Sequence, residues 1–144
     1  MTGLPLTRAQ SGIWLAQELD PESTTYNTAA YVEIRGSVDL DRLEAAARQA
    51  IVEAECLHVR IVGERQIVEP ARVSVPVLDL DEAAADKWMR ADRLRPFDLA
   101  AGPLFRSALI RLGPDRVRWY HCYHHIVVDG YGTVLIVQIG RAHV

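Results

Sequence analysis

The sequence predicts an α/β class fold in which strands and helices are mixed. Three observations predict it. A chain of 144 residues that is 49 % hydrophobic is large enough for one domain with a packed core, without staples. Several runs rich in strand formers end at Gly or Pro, and three segments with helical apolar spacing each start at a capping side chain. The two kinds of segment are interspersed without the strict alternation of a doubly wound sheet.

Thr7-Arg-Ala-Gln10 has the form of a capping box, so a helix is predicted from there to about Leu19. Ile13, Ala16 and Leu19 would form its buried stripe, with Gln17 and Glu18 pointing away, and Asp20-Pro21 would break it. Residues 29–35 read as a strand closed by Gly36. Asp39 then caps a helix through Leu40, Leu43, Ala47, Ile51 and Ala54. Residues 57–62 and 66–69 flank Gly63-Glu-Arg65 as a hairpin ended by Pro70, and residues 73–80 read as extended. Asp81 caps a third helix with Ala84, Trp88, Ala91 and Leu94 on its inner face, ending before Pro96. After a loop at residues 97–103, strands at 104–112 and 117–123 bracket the turn Gly113-Pro-Asp-Arg116.

Sixteen Lys and Arg against nineteen Asp and Glu leave a formal charge of −3 with no basic block, so nucleic acid is set aside as a partner. The N-terminus lacks the basic and apolar regions of a signal peptide, and no apolar run approaches the roughly 20 residues a bilayer needs. Cys56 and Cys122 are too few for a disulfide framework and read as small buried hydrophobes, so a cytoplasmic location is expected.

The densest polar chemistry lies in Trp119-Tyr-His-Cys-Tyr-His-His-Ile-Val-Val-Asp-Gly130. Strand alternation would point His121, Tyr123 and His125 one way and Cys122 and His124 the other, so the adjacent histidines cannot share one role. The same alternation splits any zinc ligand set, and no metal is expected. His-His-x-x-x-Asp-Gly joins an imidazole at a strand end to a carboxylate four residues on, with a glycine that permits close approach. His124-His-Ile-Val-Val-Asp-Gly130 matches every fixed position of that pattern.

This run resembles the condensation domains of nonribosomal peptide synthetases, within the chloramphenicol acetyltransferase-like superfamily. Leu4-Pro-Leu-Thr-Arg-Ala-Gln-Ser-Gly-Ile-Trp14 is similar to the opening motif of that family. Arg95-Pro-Phe-Asp-Leu-Ala-Ala-Gly-Pro-Leu-Phe-Arg106 is similar to its Pro-Phe-Asp-Leu and Gly-Pro-Leu-Phe-Arg segment. The resemblance implies an α+β sandwich, a mixed sheet with helices packed on it, as one of two similar lobes with the active site between them. The complete domain joins a donor acyl or peptidyl thioester to an acceptor aminoacyl thioester, each on the phosphopantetheine arm of a carrier protein, and binds no cofactor of its own. His125 is then the catalytic position, as general base or positioning group; His124 is structural, Asp129 orients the loop and Gly130 admits a substrate or a backbone amide. A lobe alone is expected to be inactive and to expose an apolar interface.

One segment departs from the family pattern. Glu53-Ala-Glu-Cys-Leu-His-Val-Arg60 keeps only Glu55 and Leu57 of Arg-His-Glu-x-Leu-Arg-Thr-x-Phe. The arginine that pairs with the motif aspartate in the family is replaced here by Glu53 and His58. Arg60, on the strand face of His58, is the expected cationic partner of Asp129, ahead of Arg106 and Arg118. Two other functions fit the pattern: a stand-alone acyltransferase forming esters in lipid or polyketide products, and a non-catalytic carrier-protein docking module.

The final residues, Gln138-Ile-Gly-Arg-Ala-His-Val144, follow an apolar run with no cap or turn. Ile139 to Val144 is also what one frame of a common short-read sequencing adapter encodes. Residues 1–137 are therefore expected to be a truncated N-terminal lobe and 138–144 an adapter-derived tail, and His143 is excluded from the site.

Overall fold

The structure is a computed structural model that describes residues 3–142; His143 and Val144 lie outside it. The capping box forms as predicted. Thr7 Oγ1 accepts from Gln10 N at 3.3 Å and Gln10 Oε1 accepts from Thr7 N at 2.9 Å, starting α1 at Arg8–Leu19. After β1 (Leu4–Pro5) and α1 come β2 (Asn27–Arg35), α2 (Leu40–Glu53), a short 3-10 turn (Glu55–Leu57), β3 (Val59–Val62) and β4 (Arg65–Val68). The chain continues through β5 (Val77–Asp79), α3 (Glu82–Arg93), β6 (Phe105–Gly113), β7 (Arg116–His124) and α4 (Gly130–Ala142). Asp39 and Asp81 accept from Arg42 N and Ala84 N, as N-caps of α2 and α3.

The strands form two sheets. The larger has the order β2-β7-β6-β5, with β5 parallel to β6 and the other neighbours antiparallel. The smaller, β1-β4-β3, is antiparallel and turns at Gly63, whose φ of +57° favours glycine. Helices cover both faces of the larger sheet. On one, α2 and α4 bury Leu43, Ala47, Ile51 and Ile136 against Leu109 and Trp119. On the other, Ala85 and Met89 of α3, with Ile13 and Trp14 of α1 at the margin, meet Ala108, Ile110, Tyr120 and Cys122. β7 is therefore central and nearly wholly buried.

Two helix faces are rotated from their predicted positions. In α1, Leu19 is 81 % exposed and Gln17 is buried. The last turn of α1 leaves Leu19 in solvent, whereas the Gln17 amide finds three carbonyls, of Asp20, Pro21 and Ser23. In α3 the buried residues are Ala85, Met89 and Asp92; Leu94 is exposed. Asp92 goes inside because Arg106, Arg95 and the Tyr120 hydroxyl bind it, the last two at 2.8 Å. An apolar-periodicity argument rejects such a position. Asp92→Ala is expected to cost about 3–5 kcal/mol, because it strands a largely buried guanidinium and a hydroxyl; urea denaturation measures it, and a loss below about 1 kcal/mol would contradict the network.

Only residues 77–79 of the predicted extended segment at 73–80 pair as a strand. Cys122 is buried as expected, but Cys56 is exposed. Among the described residues no helix is long and apolar enough to cross a membrane.

Candidate active site

β7 delivers the two histidines, and its end separates them. The strand stops at His124, whose backbone N–H donates to Leu104 O and whose carbonyl accepts from Val127 N. Strand parity holds for His121 and Tyr123 on the α2/α4 side, and for Cys122 on the α3 side. It does not reach His125, which lies in the following turn. The adjacent histidines differ because one lies in the strand and the other beyond it.

His124 has no exposed surface. Its Nδ1 accepts from Ile126 N at 3.2 Å, so the proton sits on Nε2 and donates to Gln17 Oε1 at 2.9 Å. Phe97 meets the ring edge-on, with centroids 6.2 Å apart, and Tyr26 lies tilted at 6.0 Å. Burial pushes the pKa of His124 down to about 4, helped by His125 beside it. It is a neutral structural imidazole with both nitrogens engaged.

His125 is exposed. Its backbone N–H donates to Tyr26 O at 2.8 Å, and its ring makes no hydrogen bond among the described residues. Asp129 caps α4: its Oδ1 accepts from Gly132 N at 2.7 Å and its carbonyl from Thr133 N and Oγ1. A Cβ on Gly130 would meet nothing within 4 Å, so the space before it is open. Among the described residues no three His, Cys, Asp or Glu side chains converge as a metal site.

Arg60 lies in β3, with Nε donating to Glu69 Oε1 at 2.6 Å and Nη1 to Ala100 O at 3.2 Å. Arg106 serves Asp92, and Arg118 serves Glu33, Glu82 and Asp86. His58 donates from Nε2 to Ile51 O at 2.8 Å. Arg60→Ala is expected to raise hydrogen exchange at residues 98–102, where its Ala100 contact lies. A concurrent increase at 129–133 is the mark of pairing with Asp129.

A protein-family model, described as Condensation domain, matches residues 2–139. The chain belongs to the condensation-domain family. This condensation-domain segment is 47 % identical over 143 residues to a dimodular nonribosomal peptide synthase of Bacillus subtilis (strain 168), matching 92 % of this chain and 6 % of that one. It is 40 % identical over 146 residues to an isonitrile lipopeptide synthase of Streptomyces coeruleorubidus, covering 93 % and 10 %. The starter condensation domain of rhizomide synthetase superposes with a TM-score of 0.89 at 44 % identity, over 97 % of this chain and 36 % of that one. A variant of that domain has been solved in complex with C8-CoA. The segment therefore spans about a third of a solved condensation-domain chain and a small part of a synthase. Its α/β fold matches theirs.

The sequence reading missed Gln17, Tyr26 and Phe97, which surround His124. Gln17 carried a signal: it lies seven residues after Gln10, two helical turns on, so both lie on one face.

Proposed function

We propose that this chain is the N-terminal lobe of a condensation domain that forms an amide between a donor acyl or peptidyl thioester and an acceptor aminoacyl thioester. Both substrates arrive on phosphopantetheine arms of carrier proteins, in the cytoplasm. The acceptor amine attacks the thioester carbonyl; the C–N bond forms, the C–S bond breaks, and the proton lost by nitrogen leaves with the thiol. His125 receives or steers that proton, imidazole being suited to proton transfer near neutral pH. Asp129 orders the start of α4 beside it, Gly130 leaves room for the approaching group, and Arg60 supports the neighbouring loop.

The observation that carries this reading is the division of labour between adjacent histidines: His124 sealed and fully bonded, His125 exposed with its backbone held. The starter condensation domain bound to C8-CoA supports an acyl thioester as the donor class. The second lobe is required to complete the site, so the 144-residue chain alone is inactive. Condensation by the full-length protein carrying His125→Ala, with loaded carrier proteins, tests the assignment.

A further inference from the structure

We propose that Gln10 and Gln17, on one face of α1, are positioning residues for His125, an inference that rests on the role given to His125 above. Gln10 spends its Oε1 on the Thr7 amide and donates from Nε2 to Ile126 O at 2.9 Å and to Gln66 Oε1 at 3.1 Å. Gln17 turns Nε2 toward the carbonyls of Asp20, Pro21 and Ser23, at 3.1–3.2 Å, which fixes the orientation of its amide. Its Oε1 must then face His124, where it meets the Nε2 proton.

The consequence reaches His125 through its neighbour. With Nε2 donating to Gln17, Nδ1 of His124 is left as the acceptor for Ile126 N, while Gln10 holds Ile126 O. Both polar groups of Ile126 are thereby tied, one directly and one through an imidazole, to the same helix. On the other side, His125 N–H is held by Tyr26 O, in the segment that begins at the carbonyls Gln17 binds. His125 thus has an exposed side chain on a backbone clamped before and after it. For a group that must meet an amine and a thioester at once, a misplacement of about 1 Å costs on the order of a hundredfold in rate.

Gln10→Glu separates this role from helix capping. Glutamate at the third helical position still accepts from the Thr7 amide, but it cannot donate to Ile126 O. Gln17→Glu likewise keeps an acceptor for His124 and loses the donors to the 20–23 segment. In the full-length protein with loaded carriers, each variant is expected to lower kcat at least tenfold with KM within about twofold. In the His125→Ala background, Gln10→Glu is expected to add no further loss, because the group it positions is gone.

A Gln10→Glu enzyme with kcat within twofold of the parent would overturn the proposal, as would an undiminished further loss in the His125→Ala background. Should Gln10→Glu fail to fold, the same cycle with Gln17→Glu decides. If His125→Ala itself retains turnover, it is the parent assignment that fails; if His125→Ala is inactive while both glutamate variants are normal, only the clamp fails.

Discussion

His125→Ala in the full-length protein is expected to slow amide formation by about 10²–10⁴-fold, the range typical of losing a positioned acid–base group. Stability should change by no more than about 0.5 kcal/mol, because the side chain is exposed and the hydrogen bond that holds the residue is made by its backbone. The pairing of those two results matters. A loss of turnover accompanied by a matching loss of folded protein would assign His125 to structure, and near-normal condensation with loaded carriers would remove it from the reaction. His124→Ala should behave in the opposite way. It leaves Gln17 Oε1 and Ile126 N–H buried without partners and opens a cavity, at a cost of about 3–5 kcal/mol.

The second large effect is acid instability between pH 6.5 and 4. Burial holds both His121 and His124 at about pKa 4, against 6.5 for an ordinary histidine. His121 lies against the rings of Trp119 and Tyr123, and its Nε2 has no hydrogen-bond partner among the described residues. Below pH 6.5 the unfolded chain binds protons on these imidazoles that the folded chain refuses until about pH 4. Stability is therefore full above 6.5 and falls as the pH drops, by up to about 1.4 kcal/mol per pH unit for each histidine. Urea midpoints measured from pH 7.5 to 4 should show this slope, and His121→Phe should remove about half of it. An unchanged slope in that variant would remove His121 as a source of the effect.

Much of the fold is legible in the chain. Thr7, Asp39 and Asp81 each name a helix start, and Gly63 and the Gly113-Pro-Asp-Arg116 reversal each name a hairpin, because capping and turn formation involve side chains within three or four residues. The candidate site was legible as well, since His124, His125, Asp129 and Gly130 fall within seven consecutive positions. The faces of α1 and α3 were not. Gln17 and Asp92 count as outward residues in any apolar stripe, yet each is buried by hydrogen bonds that periodicity cannot register. The parity argument for His125 failed for a related reason: alternation assumes that the strand continues, and β7 ends one residue earlier.

The sequence by itself determined the family, the starts of α1, α2 and α3, and the short run in which the residues proposed for the chemistry lie, all through contacts local to the chain or through short ordered motifs. The resemblance gave His124 and His125 different roles, but only the tertiary structure shows what seals the one and presents the other. That arrangement depends on Gln17 meeting His124 across 107 residues and on Gln10 meeting Ile126 across 116. A buried polar group is stable only where its partners converge, and convergence over such distances is a property of packing rather than of sequence spacing.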